Sequence, residues 1–278
     1  MASYQYTRDI KPEDLQPEAP REYTKKEKWA NWWDYHLRTV LIVGFFVAMG
    51  LWMLFDVLTK VEPDYTVTII SPGGVPAAVT DALSDALIPY AQDLNGDGKV
   101  VVECVSCNLN LSTTEEQMAG ANPLFAQDAV QSYDNMAAAT TLSGDFQSNR
   151  SYIFLLYDPA GVARYTQSIA YLDGSTPPDI AADDEQALAN VDWYNMVYRW
   201  TDCPVLAGLE LGEYTDPLSG EVYPVASQLE HLYVARRTVT SEKSAQAFVG
   251  AQELWNTLTA GADSTAGLGT HWKAEGSR

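Results

Sequence analysis

Oxygen-bearing side chains alternate along Asp93-Leu94-Asn95-Gly96-Asp97-Gly98-Lys99-Val100, with a glycine after the third. This matches the first half of a calcium-binding EF-hand loop, where positions 1, 3 and 5 supply oxygens and the glycine makes the sharp turn. The twelfth position needs a bidentate Glu; here it is Cys104, and Glu103 stands one place early. The spacing therefore predicts calcium binding at Asp93, Asn95 and Asp97 weaker than millimolar. It predicts instead a turn rich in Asp, Asn and Gly, residues that tolerate the dihedrals a tight turn needs.

Cys104-Val-Ser-Cys107 has the spacing of a redox pair or half a zinc site. It sits in a β-like run, however, and residues three apart on a strand face opposite ways. No second Cys pair and no His pair follows. Buried, inert thiols are the expectation, with a bond from one of the pair to Cys203 as the next reading. Ser71-Pro-Gly-Gly74 has the look of a phosphate-binding turn, but the glycine spacing of a dinucleotide site and the Lys-Ser/Thr of a P-loop are both missing. A plain turn is expected there. Asp183-Asp-Glu185 reads as a solvated loop, and His231 and His271 fall outside any metal spacing. No nucleophile elbow, His-Glu-x-x-His or kinase motif occurs, so no catalytic residue and no cofactor is assigned.

The element that places everything else is the apolar run 39–58, close to the twenty residues a helix needs to cross a bilayer. Its one charge, Asp56, lies near the C-terminal end. A cleaved signal peptide would have a shorter apolar stretch and small residues after it; here Thr-Lys-Val-Glu-Pro-Asp-Tyr follows. An uncleaved signal anchor is expected. Lys25, Lys26, Lys28 and Arg38 precede the run, and Lys60 stands nearly alone behind it. Basic residues favour the cytoplasmic side, so the N-terminus should be inside and the rest outside the plasma membrane. Trp29, Trp32, Trp33 and Tyr35 cluster before the span. They suit the headgroup region, as an interfacial helix over 24–38 that leads into the bilayer.

Charge divides the same way. Residues 1–60 hold eight basic and eight acidic side chains, so the net charge of −20 falls wholly on 61–278. A domain this acidic lacks the basic footprint of a nucleic-acid binder. Residues 1–23, polar and with three prolines, read as a disordered cytoplasmic tail, and the Gly/Ser/Thr-rich 261–278 as a flexible one. Between them, residues 61–260 alternate strand and helix patterns. Strands are expected at 65–70, 100–109, 152–157 and 232–237, a hairpin about Asp216-Pro-Leu-Ser-Gly220, and helices from Pro76, around 124–143 and over 241–258. The stretch 191–200 fits either helix or strand. This order predicts an α/β fold, an N-terminal transmembrane helix followed by one extracytoplasmic domain with a mixed, largely parallel sheet flanked by helices.

The entry Lys26-Glu-Lys-Trp-Ala-Asn-Trp-Trp-Asp-Tyr-His36, the single span, Lys60-Val-Glu-Pro-Asp-Tyr-Thr-Val-Thr-Ile-Ile70 and Asp93-Leu-Asn-Gly-Asp-Gly-Lys-Val100 together resemble single-pass membrane-anchored surface proteins of anaerobic Gram-positive bacteria. The likeness covers about residues 25–105 and carries no activity with it. The order of elements is also similar to one lobe of extracellular solute-binding proteins, a likeness of fold alone. The expected function is a membrane-tethered, non-enzymatic domain that binds a small-molecule ligand or another envelope protein. The rivals are a surface hydrolase using unrecognised carboxylates and a structural accessory subunit of an envelope complex.

Overall fold

The computed structural model describes residues 22–59, 62–111, 128–181, 183–217 and 219–263. Most of both expected tails, the first residues of the helix expected around 124–143, and His271 lie outside these ranges. The chain divides into two compact units, Met1–Val61 and Glu62–Arg278.

The described part of the first unit is built on one helix, α1, unbroken over Lys25–Thr59. Thr24 and Glu27 start it as a capping box: the Thr24 N–H donates to Glu27 Oε2 at 2.9 Å, and the Glu27 N–H to Thr24 Oγ1 at 3.4 Å. Its Lys25–Val57 stretch is long and apolar enough to cross a membrane, with a mean hydropathy of 2.3 in its most apolar window. At about 1.5 Å per residue, 35 residues extend to roughly 52 Å, well beyond a hydrocarbon core of about 30 Å. The aromatic entry and the apolar run therefore share a single rod.

The second unit is an α/β domain with a five-stranded mixed sheet. The strands are β1 (Tyr65–Ser71), β2 (Val102–Asn108), β3 (Ile153–Leu156), β4 (Val197–Arg199) and, after a separate hairpin of β5 (Glu213–Thr215) and β6 (Val222–Pro224), β7 (Tyr233–Arg236). Their order is β2-β1-β3-β7-β4. The first three run parallel; β7 is antiparallel to β3 and to β4. Every residue of β1 and β3 is buried, as befits central strands covered on both faces.

Alternation along the strands sorts the core into two layers. Val67, Ile69, Cys104, Leu155 and Val234 face one way, against α2 (Ala77–Leu87) and a C-terminal helix pair. Ile70, Cys107, Phe154, Leu156 and Ala235 face the other, against α3 (Asp128–Ser148) and α4 (Pro159–Thr166). On α3, Ala138, Leu142 and Phe146 recur every four residues and form the inner stripe. Asp158 caps α4 by accepting the Gly161 N–H at 2.9 Å. At the outer edge of β2, the Cys104 N–H points away from β1 and is covered by Ser84 Oγ of α2 at 3.0 Å, which protects an otherwise open sheet edge.

Two details depart from the sequence patterns. The helix expected over 241–258 is two, α5 (Glu242–Ala247) and α6 (Val249–Leu258). The break falls at Phe248, whose buried ring sits 5.1 Å from Tyr152 and takes the Arg237 guanidinium at 5.5 Å. Packing of that ring overrides helix periodicity. The ambiguous 191–200 stretch is a 3-10 turn at Trp193–Asn195 followed by β4, which is too short to show alternation.

Candidate functional site

A cavity lies between the sheet and α3, at the β2 edge. It measures about 170 Å³ and its walls include Thr68 of β1, Val105 and Cys107 of β2, and Leu142, Asp145 and Ser148 of α3. Each wall residue follows from local structure. Thr68 lies on the α3 face of β1, Val105 and Cys107 on the same face of β2, and Thr141, Asp145 and Ser148 recur along one side of α3. Arg150, just past the helix, stands at the mouth and pairs with Glu103 at 2.7 Å, with both side chains partly in solvent.

Asp145 organises the polar wall. Its Oδ1 accepts the Ser151 N–H at 2.9 Å, and its Oδ2 accepts the Ser151 hydroxyl at 2.6 Å and the Thr68 hydroxyl at 3.2 Å. Thr68 and Ser151 also share a 2.8 Å hydrogen bond. Ser151 is fully buried, so no substrate reaches its hydroxyl, and the trio holds the end of α3 to the start of β3. Arg237 donates to the backbone carbonyls of Asp145 and Phe146 and lies 5.0 Å over the Phe146 ring. Burial draws its pKa below the usual arginine value, and Asp145 opposes that shift. The Cys107 thiol is pushed up to about 11, chiefly by burial and further by Asp145, so it lines the cavity as a neutral wall.

No sequence pattern announced this site. Its parts come from residues near 68, 105 and 145, and the Asp145–Arg150 stretch carries no motif. The nearest signal was a polar Ser-Asn-Arg between a helix and a strand, which reads simply as a turn.

Of the residues singled out by spacing, Cys107 lines this cavity, whereas the Asp93, Asn95 and Asp97 turn lies elsewhere. In the 93–99 turn the side-chain oxygens face their own backbone. Asp93 accepts the N–H groups of Gly96 at 2.6 Å and Gly98 at 2.9 Å, Asn95 that of Asp97, and Asp97 that of Lys99. Asp64 joins them, accepting from Leu94, Asn95 and Val101. Among the described residues no group of three His, Cys, Asp or Glu is placed to hold a metal.

Cys104 and Cys107 face opposite core layers, and all three cysteines are free and buried. Burial pushes Cys104 and Cys203 up to about 12. Cys203 shares the α2-side layer with Cys104 but is not bonded to it.

The Ser71–Gly74 turn spends its amides internally: Gly73 donates to Asn108 Oδ1 at 2.7 Å and Val75 to Ser106 Oγ at 2.8 Å. It stands where connections leave the sheet to opposite faces, beside Tyr157, whose ring meets His231 edge-on at 5.5 Å.

In the helical unit, the rings of Trp29, Trp32 and Trp33 lie 5.7–6.2 Å apart, and His36 stacks on Trp32 at 4.8 Å. Tyr35 is exposed. From Trp33 to Trp52 is nineteen residues, or about 28 Å of helix, close to the thickness of a hydrocarbon core.

No family model, curated protein or solved structure matches this chain.

Proposed function

We propose that this chain is a single-pass membrane protein. Helix α1 is an uncleaved signal anchor with a cytoplasmic N-terminus, and the acidic α/β domain is displayed outside, where it binds a ligand or another envelope protein without catalysing a reaction. The observation that carries the reading is the exposure of α1. Leu41, Phe45, Phe46, Leu51, Trp52 and Phe55 are all exposed, and none of the most apolar window is buried. In water, each large apolar side chain left uncovered forgoes about 1.5–3 kcal/mol. A bilayer removes that penalty for the whole helix, while a core helix would have to be covered by its own protein.

Orientation rests on Lys25, Lys26, Lys28 and Arg38 at one end. The non-enzymatic reading rests on how the polar groups in and behind the cavity wall are engaged. The Ser151 hydroxyl is spent on Asp145, and the Thr141 and Ser148 hydroxyls donate to helix carbonyls. Among the described residues none is hydrogen-bonded to a His or Lys base.

The test is protease added to intact cells or protoplasts carrying a tagged chain. Digestion beyond residue 62 with an intact N-terminal tag is expected. A protected C-terminal domain overturns the orientation, and recovery of the full-length chain in the soluble fraction overturns the anchor.

A further inference from the structure

We propose that the cavity between β1, β2 and α3 binds a small, branched aliphatic ammonium ion of about five heavy atoms in all. This rests on the ligand-binding half of the proposed function and names the class of ligand.

Size sets the first limit. About 170 Å³ is comparable to cavities that hold one benzene-sized molecule. The body of such a ligand meets Leu142, Val105 and the protonated Cys107, which give an apolar wall.

The polar wall fixes the head group, because it is rich in acceptors. Thr141 Oγ1 gives its only proton to the Ala137 carbonyl at 3.0 Å, and Ser148 Oγ gives its own to the Gly144 carbonyl at 2.8 Å. Each hydroxyl is left with lone pairs to offer. The Asp145 carboxylate has about four acceptor positions, and Ser151 and Thr68 take at most three of them. Among the described hydrogen bonds Oδ1 accepts only from the Ser151 N–H, which leaves it capacity for a further donor. Thr141 and Ser148 stand one helical turn to either side of Asp145, so a cation seated at the carboxylate has a hydroxyl acceptor on each flank.

Charges around the cavity are balanced in number. Glu103 and Asp145 face Arg150 and Arg237, but both guanidiniums are committed, one to Glu103 and one to the carbonyls ending α3. The long-range field decides the sign. The domain carries all of the net charge of −20, so it concentrates cations and repels anions. An ammonium head brings three N–H donors and a positive charge; an alcohol of the same shape brings one donor and none.

Gly144 offers a clean way to close the site. It lines the cavity, and a Cβ built there meets nothing within 4 Å, so a bulky side chain can be added at this wall without a clash. The experiment uses the full chain in nanodiscs of neutral lipid, with empty nanodiscs as control. Calorimetry and ligand-observed NMR compare isobutylammonium chloride with isobutanol and sodium isobutyrate.

One isobutylammonium should bind per chain, at least tenfold more tightly than either isostere. Gly144→Leu should abolish that binding while the thermal unfolding midpoint stays within a few degrees of the parent. Asp145→Asn should weaken it about tenfold. Where the Asn variant fails to fold, Gly144→Leu decides alone. Equal binding of isobutanol, binding that survives Gly144→Leu, or no binding at all each overturns the proposal. The protease assay does not depend on the cavity, so anchoring stands or falls separately.

Discussion

Asp145 accepts hydrogen bonds from two buried residues, Thr68 and Ser151, and that makes it a side chain whose loss the domain should feel sharply. Asp145→Ala strands the Ser151 amide and one hydroxyl proton, because Thr68 and Ser151 can still bond each other. A buried donor left unmade costs about 1–3 kcal/mol, so a loss of roughly 3 kcal/mol is expected in urea melts followed by tryptophan fluorescence. A change under 1 kcal/mol would mean that the network is not structural. The thiols give a pH test. Cys104, Cys107 and Cys203 hold their protons up to about 12, 11 and 12 in the fold. An unfolded thiol releases its proton near pH 8.5. A pKa raised by folding means that the folded state keeps the proton longer, so the contribution is whole below pH 8.5. It drains as pH rises towards 11, by about 1.4 kcal/mol per pH unit for each thiol. Denaturation midpoints should be level from pH 7 to 8.5 and fall steeply by pH 10; a level profile to pH 10 contradicts the burial described. At this scale the sequence was legible where chemistry has a local spacing. The Asp93 turn and the opposed faces of Cys104 and Cys107 could be read from residue order alone. The Asp145 network could not, because Thr68 and Asp145 meet only through the sheet.

Elements with strong local character were the readable ones. β1, β2, β3 and β7 stand out as runs of Val, Ile, Thr and aromatic residues, and Ser241 marked a helix start that the structure keeps, accepting the Ser244 N–H at 3.1 Å. β4 stayed ambiguous between helix and strand because three residues hold no period, and the α5–α6 break was missed because it is imposed by Phe248 packing. The most legible element of all is α1, and its prediction belongs here. Val47→Lys puts a charge near the middle of the apolar stretch, where insertion scales charge about 2.5–3.5 kcal/mol. Carbonate extraction of membranes should release a larger share of the Lys variant than of Val47→Leu. Equal retention would show that α1 is not what holds the chain to the membrane.

On the scale of the whole molecule, the sheet is assembled out of sequence. β3 is apolar on both faces and lies between β1 and β7, yet β7 begins at Tyr233, 77 residues after β3 ends at Leu156. During synthesis β1, β2 and β3 are complete long before the strand that closes the open edge of β3 exists. The helix α6, which supplies Leu254, Trp255 and Leu258 to the core, comes later still. A protease-resistant core should therefore be absent from ribosome-arrested chains ending near residue 200 and arise abruptly once residue 263 has emerged. A resistant fragment at the shorter length would show that the first three strands stand alone. Until that late closure, Ile153-Phe-Leu-Leu156 presents unpaired amides and bare apolar side chains to any neighbouring nascent chain. The strand that is best protected in the finished domain is the one most in need of a holding chaperone while the domain is being made.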